Sequence, residues 1–273
     1  MAPIWLPRWV SASLRSESHS AAVSANLARM SVATVTHGHL LAGRVVYTQS
    51  RTGFRSGIEP VLLAAAVPAR SGDRVLEAGS GAGATPLCLT ARVPGVQTTG
   101  IEISATLTAL AQQNAQANGW PAMRFITADI AGASSLGVFD HACANPPYHP
   151  ADGTRSPNAA RDVAKRGKDG LLAIWARILG GHLKPRGTLT FILPAAALPK
   201  AVEALEDGGC APTALLPLWP KTGRNAKLVL LRGVKGGRAP FRVLPGLVLH
   251  APGGGYTPEA DAVLRDGAAL PFL

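Results

Sequence analysis

From about residue 74 onward, short apolar blocks alternate with stripes of helical spacing, and this alternation predicts a sheet flanked by helices. Arg74 to Glu77, Val96 to Ile101, Met123 to Ala128 and Val138 to Ala144 are apolar runs of strand length. Between them, Thr85 to Arg92 carries Pro86 in its first turn, and the segment after Glu102 opens on Ser104 and closes on Asn118-Gly119, residues suited to helix ends. Upstream, Gly43 to Tyr47 reads as a short strand. A helix follows with Ser56 as its cap, Pro60 in its first turn, and Val61, Leu62, Ala65 and Ala66 as an apolar stripe reaching Val67. Downstream, Gly170 to Gly181 spaces Leu171, Leu172, Trp175, Ile178 and Leu179 as a core-facing helix. Gly187 to Leu193 is a fifth strand of the series, Pro199 to Glu206 a helix, and Ala214 to Leu218 with Lys227 to Arg232 a terminal strand pair. The fold class is α/β, a mostly parallel sheet with helices on both faces.

Length sharpens this picture. A chain of 273 residues that is 47% hydrophobic holds one sizeable core, so residues 31–273 are read as a single domain. Residues 1–30 differ: Ser and Ala dominate, Arg8, Arg15 and Arg29 stand against Glu17, and no period is sustained. They are read as a disordered or mis-started extension with Met30 as the working N-terminus, although an organellar transit peptide has similar composition. No apolar run reaches the roughly eighteen residues that span a bilayer, so a cytoplasmic protein with no membrane partner is expected. Cys88, Cys143 and Cys210 are dispersed, and His37 and His39 fall on a loop-like segment without a third ligand. Neither a disulfide framework nor a metal site is therefore expected. The net charge of +11 points to a polyanionic partner such as nucleic acid. Arg155, Arg161, Lys165, Arg166 and Lys168 crowd residues 149–169, and no acid falls between Gly208 and Pro258.

Three acids carry the first chemical signal, because Glu77, Glu102 and Asp129 each end one of three successive strands. Gly79, Gly81 and Gly83 form a loop between the first strand and a helix, where backbone can approach a nucleotide-like ligand beside helix N–H groups. Glu102, followed by Ile103, stands where an acid would bond both hydroxyls of an adenosine ribose; Asp129 can accept from an adenine amine while Ile130 packs on the ring. The loop also fits a dinucleotide fingerprint ending at Ala84, which keeps a nicotinamide oxidoreductase open. Glu59, at the start of the first helix, either faces a ligand or complements the helix dipole.

The second signal is Asn145-Pro146-Pro147-Tyr148, set at the carboxyl end of the fourth strand, where open α/β sheets bind ligands. An exocyclic or amide nitrogen is a poor nucleophile because its lone pair is delocalised, and it presents two N–H donors. The Asn145 side-chain oxygen and the Pro146 carbonyl are suited to accept one each. Pro147 and Pro146 restrict the residues before them, so the acceptors are held before binding. Tyr148 offers a ring face for stacking, and His149, Arg161, Lys165 and Arg166 extend a candidate substrate surface. Right-handed crossovers would bring Asn145 beside Gly79 at the switch point of the sheet. No Ser/His/Asp elbow or Walker loop appears.

These residues resemble the S-adenosylmethionine-dependent class I methyltransferases that modify amino groups. Phe54 to Ala64, Arg161 to Ala164, Leu249-His250 and Tyr256 to Asp261 are similar to the bacterial tRNA(Val) adenine-N6 methyltransferase family, and the likeness runs from about Thr36 to the C-terminus. The resemblance implies a Rossmann-like fold with a seven-stranded sheet, S-adenosylmethionine as donor, and tRNA as substrate, methylated at the adenosine just 3′ of the anticodon. Glu59 stands where that family usually has Asp. His149 after the tetrapeptide resembles rRNA guanine-N2 methyltransferases, and release-factor glutamine methyltransferases share Asn-Pro-Pro-Tyr. A non-catalytic RNA-binding domain is the remaining reading.

Overall fold

The computed structural model describes residues 35–51, 56–133, 135–147 and 170–270. Residues 1–30, and with them the expected extension, lie outside that set, as do Tyr148, His149, Arg161, Lys165 and Arg166. The described chain opens with a separate antiparallel hairpin, β1 (Val35–Leu40) against β2 (Val45–Ser50). His37 and His39 therefore sit in a strand and not in a loop, and His37 Nδ1 lies 2.9 Å from the Thr48 hydroxyl across the pair. Helix α1 (Glu59–Ala66) comes next, with Ile58 and not Ser56 at its N-cap. The Ser56 hydroxyl is bonded to the Tyr47 hydroxyl at 2.9 Å, a long-range partner that local pattern does not reveal.

The main sheet alternates strand and helix: β3 (Arg74–Ala78), α2 (Ala84–Arg92), β4 (Gln97–Glu102), α3 (Ala105–Ala117), β5 (Arg124–Thr127), β6 (Phe139–Ala144), α4 (Leu171–Gly181), β7 (Leu183–Pro194) and α5 (Leu198–Asp207). It ends in β8 (Cys210–Trp219), β9 (Leu228–Lys235), β10 (Arg242–Val243), β11 (Leu247–Val248) and α6 (Pro258–Leu264). The order across the sheet is β10-β8-β9-β7-β6-β3-β4-β5, with β11 also on β8. Strands β3 to β7 are mutually parallel, and β9 runs antiparallel to both β7 and β8. This is a Rossmann-like α/β architecture.

The sheet has nine strands where seven were expected. The two additions, β10 and β11, pair two residues each along the outer edge of β8. Pro240 and Pro245 lie around them, and proline withholds the N–H that longer pairing needs. β7 starts earlier than expected because Leu183 pairs with Phe139 ahead of a register shift near Arg186-Gly187.

Apolar side chains fill both faces of the sheet. Leu62, Leu63, Leu87, Leu89, Leu216, Leu230 and Val263 form one core beneath α1, α2 and α6. Leu76, Ile101, Phe139, Trp175, Leu179, Phe191 and Leu205 form the other beneath α4 and α5. Each fully buried large side chain contributes roughly 1.5–3 kcal/mol. The carbonyls at the end of α1 are satisfied from within the core: Arg92 donates to Ala64 and Val67, and Arg232 donates to Ala66. Burial lowers the Arg232 guanidinium to about 10, helped by neighbouring Arg242, so this arginine is an internal strut and not part of a basic surface.

Candidate functional site

Parallel register brings the sequence-predicted residues together at the carboxyl edge of the sheet. Ala78 on β3 pairs with Ile101 on β4 and with Ala144 on β6. Gly79, Glu102 and Asn145 are thus the next residues on three adjacent strands, with Asn145 on one side of the glycine loop and Glu102 on the other. Ala128 continues the row by donating its N–H to the Glu102 carbonyl at 3.0 Å, which sets Asp129 at the far end.

The glycine loop is held from several directions. Gly79 and Ser80 both donate to the Ile101 carbonyl, at 2.8 and 3.0 Å, and Gly83 donates to Ser80 at 2.8 Å. At Gly79 φ is +69°, and an added Cβ would lie 2.7 Å from the Trp175 ring of α4, so both backbone and packing require glycine there. Gly81 opens onto free space, with nothing within 4 Å of an added Cβ. Glu102, 9% exposed, accepts from Gly81 N at 3.0 Å through one oxygen and from Ser104 N at 2.9 Å through the other. A carboxylate oxygen can accept two bonds, so each of these, with one partner, retains acceptor capacity.

Two asparagines complete the frame: Asn114 inside α3, which the sequence reading did not single out, and Asn118 at its C-cap, read there only as a helix end. Asn114 accepts from Thr48 N at 2.9 Å and donates to Thr48 O at 2.8 Å, and also to Ala82 O of the glycine loop at 3.0 Å. Asn118, one turn later, repeats the paired bond on Val46, at 2.8 Å in both directions. Alternate residues of β2 thus hydrogen-bond to the helix as they would to a neighbouring strand, because the one-turn helical repeat of 1.5 Å per residue nearly matches two residues of strand. The available signal was Asn114, an asparagine in a helix interior that asparagine disfavours, one turn before the cap residue Asn118.

The remaining acids differ in setting. Asp129 is exposed and accepts from Ala131 N at 2.9 Å, while Ile130 is buried in the α4-side core. The open apolar side chain at this edge is Ile103, 66% exposed. Glu77 is 4% exposed and lies under α2, with Thr85, Thr98 and Cys143 around it. One of its oxygens has no hydrogen-bond partner. Burial drives this carboxyl up to about 8, against the opposing bond from Thr85 and with a further push from Glu102. Glu59 lies in the first turn of α1. Asn145 is half-buried, Pro146 buried and Pro147 exposed. Among the described residues no hydrogen bond to the Asn145 side chain is found.

An adenosine-bearing donor fits this row of residues: a loop of glycines open at Gly81, a carboxylate with spare acceptor capacity, and an exposed Ile103 beside it. Residues 54–173 match the methyltransferase small domain. Two relatives named tRNA1(Val) (adenine(37)-N6)-methyltransferase align with the chain. That of Actinobacillus succinogenes is 33% identical over 53% of this chain and 63% of its own length. That of Tolumonas auensis is 29% identical over 67% and 77%. A release factor glutamine methyltransferase of Chlorobaculum tepidum is 34% identical over only 33% of this chain and 32% of its own. Among solved structures, a predicted O-methyltransferase from Agrobacterium tumefaciens superposes with a TM-score of 0.65 at 22% identity, covering 78% of this chain and 98% of that one.

Proposed function

We propose that this chain, an S-adenosylmethionine-dependent methyltransferase of class I fold that carries the methyltransferase small domain over residues 54–173, methylates the N6 amine of an adenine in tRNA. The observation that carries the reading is the adjacency of Asn145 to Gly79 and Glu102 through the β6-β3-β4 register. Two relatives that act on this amine by name support it.

In this reading Gly79, Gly81 and Gly83 admit the donor to the backbone, Glu102 accepts from its ribose hydroxyls, and Ile103 and Asp129 border its adenine. When bound, the donor supplies an electrophilic methyl group. Asn145 and the Pro146 carbonyl each accept one N–H of the target amine, which turns its lone pair out of the ring plane and toward the neighbouring glycine loop. Pro146 and Pro147 keep both acceptors in place without drawing on hydrogen bonds. Tyr148 and His149 follow directly in sequence and are assigned to stacking on the target base. Arg161, Lys165 and Arg166 are assigned to the RNA backbone. Glu77, grouped by sequence with the donor-site acids, is buried under α2 with its carboxyl pushed up to about 8.

The test is transfer of labelled methyl groups by the full-length protein to tRNA from cells lacking the modification, followed by nucleoside analysis. N6-methyladenosine is the expected product. N2-methylguanosine would move the target to guanine, and label appearing in a release factor but not in RNA would move it to glutamine.

A further inference from the structure

Residues 208–257 hold seven basic side chains and no acid, and the fold divides them. Arg232 is internal, bonded to Ala66 O. Lys235 ends β9 at the amino edge of the sheet, where its ammonium lies 3.4 Å from Gly208 O. Arg238 follows on that side, and Arg242 pairs beside Ala214, midway along the outer edge. The other three, Lys221, Arg224 and Lys227, are exposed on the single loop joining β8 to β9. That loop lies at the carboxyl edge, because Leu228 pairs with both Pro194 and Leu218, and Ala195 N bonds to Lys227 O at 2.9 Å.

A second feature adjoins the loop. His250 N donates to Pro220 O at 3.1 Å, and the His250 ring is stacked on Tyr256 with centroids 5.1 Å apart and planes 19° from parallel. Both residues are half-buried, and the backbone bond to Pro220 sets the pair at the base of the loop that carries the three cations. Asn145 stands on the same edge, three strands away along β6-β7-β9-β8, about 14 Å at the usual strand spacing.

We infer that Lys221, Arg224 and Lys227, with the stacked His250–Tyr256 pair, form a platform for the RNA strand flanking the target base: the cations hold phosphates and the rings meet an unpaired base. This rests on the RNA reading above, and it concerns a surface distinct from the pocket. Three cations on one short loop suit a polyanion's repeated charges, and aromatic faces beside them suit single-stranded nucleic acid and not a regular duplex.

The test compares two variants of the full chain, Lys221→Ala/Arg224→Ala/Lys227→Ala and Arg238→Ala/Arg242→Ala, for binding unmodified tRNA across a salt series. Each phosphate contact contributes roughly 0.7–0.9 to the slope of log affinity against log salt, so the triple variant should lose about two to three of that slope. Its KM for tRNA should rise at least tenfold, with kcat and donor affinity close to wild type. The double variant should keep the wild-type slope. A triple variant that binds and titrates like wild type, or an equal loss in the double variant, would overturn the platform while leaving RNA methylation standing. Wild-type protein that binds no tRNA would sink both, and the product analysis above would register that separately.

Discussion

The two loops that meet at the carboxyl edge are held in opposite ways. The Gly79–Gly83 loop owes its shape to hydrogen bonds from every side: Ile101 behind it, Glu102 beside it and Asn114 across it. The Asn145–Pro147 segment has two residues that lack an N–H, and it is fixed by ring closure and by the restriction each proline places on its predecessor. The first arrangement has many partners, each of which can be weakened by a remote change. The second leaves the acceptor groups of Asn145 and Pro146 uncommitted. A loop that must grip a ligand through its own backbone benefits from external struts, whereas one that must offer free acceptors to an amine benefits from internal stiffness.

Gly79→Ala should do the greatest damage on the donor side. It places a side chain in a left-handed conformation costing about 1–2 kcal/mol, and its Cβ meets the rigid, buried Trp175 ring, an overpacking of roughly 1–3 kcal/mol. Thermal unfolding should shift down sharply and donor binding should be lost; a variant that melts and binds normally would break the close-packing argument. Glu102→Ala comes next. Loss of a charge-assisted acceptor should weaken donor binding by about 1.5–3 kcal/mol, and because Gly81 N and Ser104 N also lose their partner, stability should fall as well. Calorimetry alongside melting separates the two effects, and an unchanged donor Kd would remove Glu102 from the site.

Asn114→Ala strands Thr48 N, Thr48 O and Ala82 O together. A cost of about 1–3 kcal/mol is expected, larger than for Asn118→Ala, whose bonds lie nearer solvent; denaturant midpoints for the pair should show that order. The last effect is electrostatic. Glu77 titrates near its ordinary 4.5 when unfolded and near 8 when folded. The native state therefore holds a proton that the unfolded chain releases, and stability should decline as pH rises from about 4.5 toward 8. Glu77→Gln should flatten that decline in melting temperature, and an unaltered slope would show that other groups set it.

The sheet from β3 to β9 was legible in the sequence because its strands are continuous apolar runs separated by clear helix starts, and register then fixed the adjacency of Gly79, Glu102 and Asn145. The hairpin was only half legible: Val35–Leu40 has no fully buried residue, and Gly38 with two histidines masks the strand pattern. Ser56 has the chemistry of a cap yet bonds to Tyr47, and Arg232 has the chemistry of a surface cation yet serves α1. Glu102 was placed at the right edge, but its bonds to Gly81 and Ser104 were invisible to pattern. Apart from the local bond to Ser104, each of these joins residues well separated in sequence, which periodicity and spacing do not encode. Tyr148, His149, Arg161, Lys165 and Arg166 are known only from sequence.

The contrast between the two loops makes its clearest claim at Asn145, a group for the acceptor and not for the donor. The decisive measurement pairs calorimetric titration of S-adenosylmethionine into Asn145→Ala with single-turnover methylation of tRNA by the same variant. Donor affinity should stay nearly unchanged while the rate falls on the order of a hundred- to a thousandfold, the usual consequence of removing one preorganised polar contact. Near-normal turnover would contradict the account, as would a loss of donor binding large enough to explain the fall in rate.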